Sequence, residues 1–425
     1  MTPQPPLDLP QKGSPSFTAL LLRYVLAHPS LDGWPINPSL FSVLLLAMIV
    51  RKGGVVIDTG KRGVDTLVRV IRHMIRLIFD LRVYHLSLDE HSGLEDVGNN
   101  LSHQVSNTDS PSLDRKYEDG ERSRTQAQRI KETEDDMEVL VITGLENARS
   151  PVRVKLADIM MKKRIRLSQV QRSGEEGIED ELERKFDPLV IWVREEGKEI
   201  PSWMIDHFML SLYVDLDDID SPPSDVDIPI NQGIIPTSYI YQFASLLPYV
   251  HIHAPLKIHI SNLLSAFSSH PGLRTTMTGK SSRAFGDYVK AHRLLSGSFA
   301  VPYAFFETSS TQNGNEEESL KGKGLGGGIG GVDTWAEMAG EEPSLSKFVS
   351  ETEGAVDDVY CTPANVEGVW KAFVGHRCRS REEREEVMYL IKGSAVDGDE
   401  DETKVKRGGK RRGVDSILDE ILRTV

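Results

Sequence analysis

Apolar residues recur at helical spacing between residues 17 and 50, in FTALLLRYVLA and in LFSVLLLAMIV. The polar stretch HPSLDGWPINPS, which is rich in turn-forming residues, separates the two apolar runs. This pattern predicts two helices. Each run supplies about half of the ~20 residues that a membrane-spanning helix needs, so the pattern predicts no membrane span.

A short β-branched run, GVVID, begins the next part of the chain. A loop with glycines, the helical pattern DTLVRVIRHMIRLIFDL and a second β-branched run, RVYHLSL, follow it. A strand, a helix and a strand in this order form a βαβ unit, which favours a parallel sheet. Further strands are predicted in MEVLVITGLENA, FDPLVIWV and LSLYVDLDDI, with helices in PVRVKLADIMMKKRI and IPSWMIDHFM.

The pattern becomes helical from about residue 251. APLKIHISNLLSAFSSHP and SSRAFGDYVKAHRLLSG predict two helices, and TPANVEGVWKAFVGHRCRSREEREEVMYLI predicts a third. Thr362 is the predicted N-cap of the third helix, with Pro363 at its first position. VDSILDEILRTV predicts a short amphipathic helix at the end of the chain.

Polar and glycine-rich segments divide the chain into predicted units. These units are a disordered N-terminus (1–16), an α/β core (17–250) with a disordered insertion (89–137), a helical region in two parts (251–306 and 357–394), a Gly-rich disordered insertion (307–356) and a charged tail with the terminal helix (395–425).

Composition restricts the classes of function. The net charge is −14, which argues against nonspecific binding to nucleic acid or anionic membranes, so neither partner is predicted. Two cysteines in 425 residues are typical of an intracellular protein, and no signal peptide stands at the N-terminus, so a cytoplasmic location is expected. The basic run KVKRGGKRRG is typical of a nuclear-localisation or anion-binding segment, or of a solvated tail.

The order of elements resembles an AAA+ ATPase module. SSHPGLRTTMTGKSSRAFGDYVKAHRLLSG and VYCTPANVEGVWKAFVGHR resemble two parts of the helical lid in one clade, the small ATPase subunit of magnesium chelatase and its MoxR relatives. REEGKEIPSWMIDHFMLSLYV is similar to a core motif of the same clade. The resemblance implies an α/β fold, a P-loop-type AAA+ core with a parallel sheet, followed by a small all-α lid.

The resemblance also implies a function. The family uses ATP and Mg²⁺ to remodel a protein client, in assemblies with other AAA+ subunits. In magnesium chelatase the partner complex inserts Mg²⁺ into protoporphyrin. Hydrolysis of this kind needs a Lys and backbone N–H groups around the phosphates, a hydroxyl on Mg²⁺ and an acidic pair at a strand end.

The stretch GGVVIDTGKRGVDTLV corresponds to the phosphate-binding loop of the family. Gly60 and Gly63 match its glycines, and Thr66 falls at the Mg²⁺ hydroxyl. Asp65 replaces the Gly-Lys pair, and a carboxylate there repels a triphosphate. Lys61 could in principle swing in towards the phosphates, but it sits on the wrong side of the turn. Two alternatives stay open for this stretch: an ordinary βα turn whose glycines serve backbone geometry, and a working nucleotide site.

Other family positions are also altered. Thr143 and Gly144 stand where the resemblance expects Asp-Glu, and Glu146 could be a displaced remnant of that pair. His207 stands at the position of the arginine finger. Arg283 matches a nucleotide-sensing position of the family, or is a solvated or ion-paired arginine of a helix.

These replacements favour a degenerate AAA+ protein, a pseudo-ATPase that acts as a scaffold or remodelling subunit with ATP and Mg²⁺ bound weakly or not at all. The alternatives are an active ATP-dependent ATPase of the magnesium chelatase type and a protein-binding module without enzymatic activity. His251, His253 and His259 could suggest a metal, but no carboxylate or Cys cluster accompanies them, so a structural role is favoured and no metal site is predicted.

Overall fold

The structure is a computed structural model. The structure describes residues 8–14, 16–31, 33–60, 63–94, 97–101, 104, 137–168, 181–198, 201–215, 233–275, 277–299, 359–380 and 414–425. The predictions for 105–136, for all of 307–356 and for 381–413 lie outside the described residues, as does Lys61.

A five-stranded parallel sheet forms the centre of the fold and confirms the predicted α/β class. Its order is β2-β3-β6-β1-β7, so the first strand lies in the interior of the sheet. The strands are β1 (Gly54–Thr59), β2 (Arg82–Ser87), β3 (Glu138–Thr143), β6 (Leu189–Glu195) and β7 (Phe208–Tyr213).

Helices cover both faces of this sheet, as its strands, buried on both sides, require. One face carries α1 (Phe17–Leu26), α2 (Pro38–Val50) and α3 (Val64–Phe79), whose apolar residues share a core cluster with alternate residues of the strands. The opposite face carries α4 (Ser150–Lys162) and the short α5 (Ser202–Ile205), which belong to a second cluster.

Further described helices are α6 (Thr237–Leu246), α7 (Ala254–Ser269), α8 (Gly279–Ser296), α9 (Pro363–Val374) and α10 (Val414–Thr424). Three two-stranded ladders lie outside this sheet among the described residues, and two of them connect parts of the chain that are distant in sequence. They pair β4 (Arg164–Ser168) with β5 (Glu181–Lys185), β8 (Val250–His251) with β10 (Val359–Tyr360), and β9 (Leu273–Thr275) with β11 (Cys378–Ser380).

The two halves of the predicted helical region pack together. Trp370 on α9 contacts Phe285 on α8, with ring centroids 5.9 Å apart, and Phe373 lies 4.8 Å from the same ring. At the start of α9, Thr362 and Pro363 occupy the predicted positions, and the Asn365 side chain accepts the Thr362 N–H at 2.8 Å. A separate lid domain stays a prediction, because the same apolar cluster includes α1 and α2.

The prediction of a disordered insertion at 89–137 is wrong for part of that range. Residues 97–101 are helical, and Val97 and Leu101 are fully buried in the second core cluster. Gln104 donates to the carbonyl of His85 and accepts its N–H, at 2.8 and 3.0 Å, so its amide covers the open edge of β2. Two apolar residues in a polar segment were too weak a periodic signal to show this.

Further elements differ from the predictions, and one of them is the helix predicted to run on beyond His376, which ends at Val374 before strand β11. The helix predicted through Ile165 ends at Lys162, because the following residues form the β4–β5 hairpin in a segment interpreted as an acidic insert. Arg184 of that hairpin reaches Glu138 at 3.0 Å, which attaches the hairpin to β3. Helix α6 was also missed, although Ile240 and Phe243 bury an apolar face.

Candidate functional site at the carboxyl ends of the parallel strands

The sheet order defines the place where a ligand site is expected. The chain leaves β1 towards one edge of the sheet, to β2, and it leaves β6 towards the opposite edge, to β7. Ligands of open α/β sheets bind in the crevice where neighbouring strands connect in opposite directions, outside their carboxyl ends. The glycine loop between β1 and α3 begins at this crevice.

The described part of the loop is a tight turn into α3. The Gly63 N–H donates to the Gly60 carbonyl at 2.9 Å, and Gly63 is the N-cap of the helix. A Cβ added at Gly60 would meet no atom within 4 Å, so packing does not require a glycine there. The structure therefore places both predicted glycines at the turn. The described backbone does not show a phosphate-binding conformation that would require glycine.

An ion pair lies between the ends of β1 and β6. Asp58 and Arg194 are directly paired across these strands, and the guanidinium donates to both carboxylate oxygens of Asp58. Arg194 also donates to the Lys198 carbonyl at 2.8 Å and lies over the Trp192 ring, 4.6 Å from its centroid. Side-chain exposure is 12% for Arg194 and 18% for Asp58, so the pair is largely buried at the ends of the two strands.

Glu146 continues this network at the end of β3. Its carboxylate accepts the indole N–H of Trp192 at 3.2 Å, and its backbone carbonyl accepts from Arg153 at 2.6 Å. Arg153 also donates to the Leu145 carbonyl at 3.1 Å. The residue proposed as a remnant of the catalytic acid therefore has internal partners for its side chain and its backbone.

The positions that precede Glu146 are shaped by the backbone. Gly144 has φ +70°, and a Cβ there would lie 1.8 Å from the Leu88 carbonyl oxygen. A glutamate at 144 is incompatible with this turn. Thr143 is buried, and its hydroxyl lies 3.4 Å from Nε2 of His85 on β2.

The first turn of helix α3 carries Asp65, the residue that replaces the Gly-Lys pair, and Thr66, the residue at the Mg²⁺ hydroxyl position. Thr66 is half-buried, and its hydroxyl accepts from Arg69 at 3.5 Å, while Asp65 is exposed in the first turn. Just before the loop, the hydroxyl of Thr59 is buried without a hydrogen-bond partner among the described residues. The negatively charged Asp65 and the Thr59 hydroxyl, which has no hydrogen-bond partner among the described residues, therefore lie on either side of the same turn.

The structure does not bring His207 and Arg283 together with the loop in any described contact. His207 is half-buried, and burial and nearby Lys280 lower its pKa, with Asp206 opposing this. Arg283 is exposed and donates to the Gly279 carbonyl of its own helix at 3.2 Å. This geometry agrees with the alternative of a solvated helix arginine.

A second polar cluster joins β7 to the helical region. Arg377 is 2% exposed, and it donates to Asp206 at 2.9 Å and to the Phe208 carbonyl at 2.5 Å. Nε2 of His376 donates to the same carbonyl at 2.9 Å, and the Ser281 hydroxyl reaches Asp206 at 3.4 Å. Burial and Arg377 lower the pKa of His376 to about 3.

The described residues do not fit a Mg²⁺–ATP hydrolysis site. Such a site needs acidic side chains free to hold Mg²⁺ and orient water, and positive charge at the phosphates. Asp58 is paired with Arg194, Glu146 with Trp192, and Asp65 brings negative charge to the helix start. No step of ATP hydrolysis can be assigned to these residues.

The histidines near residue 255 have structural neighbours. His253 is stacked on Tyr360, with ring centroids 3.9 Å apart, and His251 lies 5.8 Å from the same ring. Across the described ranges, no group of three or more His, Cys, Asp or Glu residues is arranged to hold a metal ion.

The described helices are too short or too polar for a bilayer. Within the part of the chain that the structure describes, no helix is both long enough and apolar enough to span a membrane. Helix α2, the apolar Pro38–Val50, has 13 residues.

Comparison with known proteins gives a distant likeness in fold. No protein-family model and no curated protein matches the chain. Among solved structures, it is similar to a crystal structure from Cytophaga hutchinsonii described as a "putative ATPase", with 11% identity over 91% of this chain and 89% of that chain, and a TM-score of 0.48. A likeness this distant carries no argument about function.

Sequence reasoning missed the Asp58–Arg194 pair and the partners of Arg377. One signal was present, since the apolar runs GVVI and PLVIWV are each followed directly by a charged residue, Asp58 in one case and Arg194 in the other. Buried strands rarely end this way unless the charges are paired or functional. Their pairing became visible only when the sheet order placed β1 beside β6.

Proposed function

We propose that this chain is an AAA+-like protein that has lost efficient ATP hydrolysis and acts as a scaffold or remodelling subunit, in an assembly with other AAA+ subunits or with a protein client. The observation that supports this most is the Asp58–Arg194 pair between the ends of β1 and β6. It occupies the crevice with charges that neutralise each other.

The electrostatics of the loop point the same way. A triphosphate needs positive charge near the start of α3, and Asp65 is the charged residue of the described first turn. A like-charge contact at ~4 Å costs a few kcal/mol at an effective dielectric near 20. Removal of a lysine and addition of a carboxylate therefore both weaken binding.

A second candidate, a divergent but active ATPase of the magnesium chelatase type, is favoured by one observation. The Thr59 hydroxyl is buried without a hydrogen-bond partner in the described residues, beside a helix start whose first N–H groups can bind an anion. A phosphate at the loop would satisfy both groups.

Calorimetric titration of ATP and Mg²⁺ into the full-length protein distinguishes the two candidates. The scaffold predicts no saturable heat at nucleotide concentrations up to about 1 mM, which corresponds to binding weaker than about −4 kcal/mol. A dissociation constant near 1 μM, about −8 kcal/mol, would establish a nucleotide site and overturn the proposal.

Matched variants locate any binding that is found. Thr66→Ala removes a hydroxyl at the start of α3, whereas Ser245→Ala removes an exposed hydroxyl on α6. Binding that weakens only in Thr66→Ala belongs to the loop. Binding that both variants leave unchanged lies elsewhere on the chain, and the loop is then confirmed as inactive.

A further inference from the structure

A cavity of about 410 Å³ lies where α1, α2, α8 and α9 meet, and it is open to solvent beside the exposed residues Ser16, Ala19, Ser296 and Gly368. Its size is within the range of small-molecule sites, which are mostly apolar and contain a few convergent polar groups. Its lining includes Thr18, Ser42, His292, Gly368 and Ala372, and no Asp, Glu, Lys or Arg lines it among the described residues. The cavity therefore suits an uncharged molecule and differs from the crevice of the sheet.

The hydrogen bonds around Asn365 fix the proton of His292. The Thr362 backbone N–H donates to Oδ1 of Asn365 at 2.8 Å, which identifies that atom as the oxygen. The amide nitrogen of Asn365 therefore faces Ser296 at 3.0 Å and Nδ1 of His292 at 3.4 Å. The Ser296 hydroxyl also lies 3.4 Å from Nδ1, but its hydrogen is donated to the His292 carbonyl at 2.7 Å. We therefore assign Nδ1 as the acceptor of the Asn365 amide, which places the proton of the neutral imidazole on Nε2.

The Nε2 edge of His292 lies against Gly368, a cavity residue in the interior of α9. A Cβ added at Gly368 would lie 2.5 Å from both Nε2 and Cε1 of this ring. Glycine in a helix interior costs about 1 kcal/mol relative to alanine, so its presence here needs a reason. The glycine leaves space for the ring edge, which carries the N–H donor.

The hydroxyls of the cavity supply acceptors. The Thr18 hydroxyl donates to the Leu295 carbonyl at 2.9 Å, and the Ser42 hydroxyl donates to the Pro38 carbonyl at 2.8 Å. Their hydrogens are therefore used, and the lone pairs of their oxygens are the groups left for a ligand. Burial lowers the pKa of His292, which favours its neutral ring.

We propose that this cavity binds a small uncharged molecule with an apolar body, one hydrogen-bond acceptor for the Nε2–H of His292 and one donor for a hydroxyl oxygen of Thr18 or Ser42. Cyclic amides and compact alcohols have this chemistry. The ligand would contact the N-terminal helices and the α8–α9 pair at once, and its binding would stabilise their packing.

The test uses the full-length protein with ¹³C at Cε1 of its 12 histidines and ε-caprolactam as the probe. The probe has a five-carbon apolar ring path, a carbonyl acceptor and an N–H donor. The His292 resonance, assigned with His292→Gln, is expected to shift saturably at millimolar probe. N-methylcaprolactam, which lacks the donor, is expected to bind at least threefold more weakly.

Two variants show whether the shift reports this cavity. Ala372→Leu fills the space with a larger side chain and should abolish saturation, and Gly368→Val should do the same by displacing the His292 ring. Glu367→Ala, an exposed change on the same helix, should leave the titration unchanged. Thermal melts establish that each variant is folded.

The proposal is overturned by either of two results. One is the absence of a saturable His292 shift at 50 mM probe, a concentration far above the millimolar range expected. The other is a titration that a folded Ala372→Leu protein leaves intact, since the probe would then bind outside the cavity. Neither result bears on ATP binding at the sheet, because the two sites share no residue.

Discussion

Two regions of this molecule were predicted from one resemblance, and the structure treats them differently. At the glycine loop, the residues expected to act on ATP are replaced, and the neighbouring charges are paired internally, Asp58 with Arg194 and Glu146 with Trp192. At the junction between β7 and α9, Asp206 and Arg377, which belong to the two motifs that resemble the family, lie together, and the buried Arg377 is bonded to Asp206.

The difference separates residues that hold the fold from residues that perform chemistry. The His376-Arg377 pair satisfies the Phe208 carbonyl on β7 and fixes the helical region to the sheet. A protein that needs only its architecture must keep such contacts, because buried polar groups without partners are costly. It need not keep free carboxylates for Mg²⁺. The comparison therefore favours a scaffold.

The junction should be the more sensitive region to mutation, and Arg377→Ala should have the largest effect. The substitution removes the buried partner of Asp206 and two hydrogen bonds to residues of β7. We expect the free energy of unfolding to fall by about 3–5 kcal/mol, the range for breaking a buried ion pair. Urea unfolding followed by Trp fluorescence measures this loss.

Arg283→Ala is the matched control for Arg377→Ala, since it removes an exposed arginine that bonds only its own helix in the described contacts. Its effect should stay within about 0.5 kcal/mol, as for most surface substitutions. If both variants lose the same stability, the junction is no more structural than the exposed helix, and the comparison fails.

At the end of β3, Gly144→Ala tests whether backbone geometry excludes the catalytic acid. The added Cβ would overlap the Leu88 carbonyl, and φ is positive, so we expect a loss of roughly 2–3 kcal/mol by thermal unfolding. Gly60→Ala is the control in the loop after β1, where the Cβ has open space, and should cost less than about 1 kcal/mol. A Gly144→Ala protein as stable as the wild type would show that the turn can accept a side chain.

Sequence reasoning predicted much of the fold because that information is local. Strand β1, helix α3 and strand β2 followed from periodicity, and the start of α9 followed from Thr362 and Pro363. Elements whose stability comes from distant partners were missed. The β4–β5 hairpin depends in part on Glu138, and residues 97–101 depend on an apolar cluster formed by other elements.

The candidate site was less predictable for a related reason. A family motif specifies the residue type expected at each position, so the sequence alone shows that Asp65 and Gly144 depart from it. It does not give the partners that replace them. Asp58 and Arg194 are separated by 136 positions, and only the order of the strands makes them neighbours.

The pH dependence of stability gives the smallest and most specific test of the junction. His376 is half-buried, and its ring is neutral, with a pKa of about 3 in the folded protein against about 6.5 when unfolded. Between these values the unfolded chain binds more protons, so stability is fully present above about pH 7 and falls as pH decreases. From pH 7 to pH 5 the free energy of unfolding should fall by about 2 kcal/mol.

His376→Gln keeps a donor for the Phe208 carbonyl without titrating, so its unfolding free energy should vary less over this interval than that of the wild type. The exposed His91→Gln variant should retain the full pH dependence. Equal slopes for all three proteins in urea titrations at pH 5, 6 and 7 would mean that His376 is not held neutral at the junction.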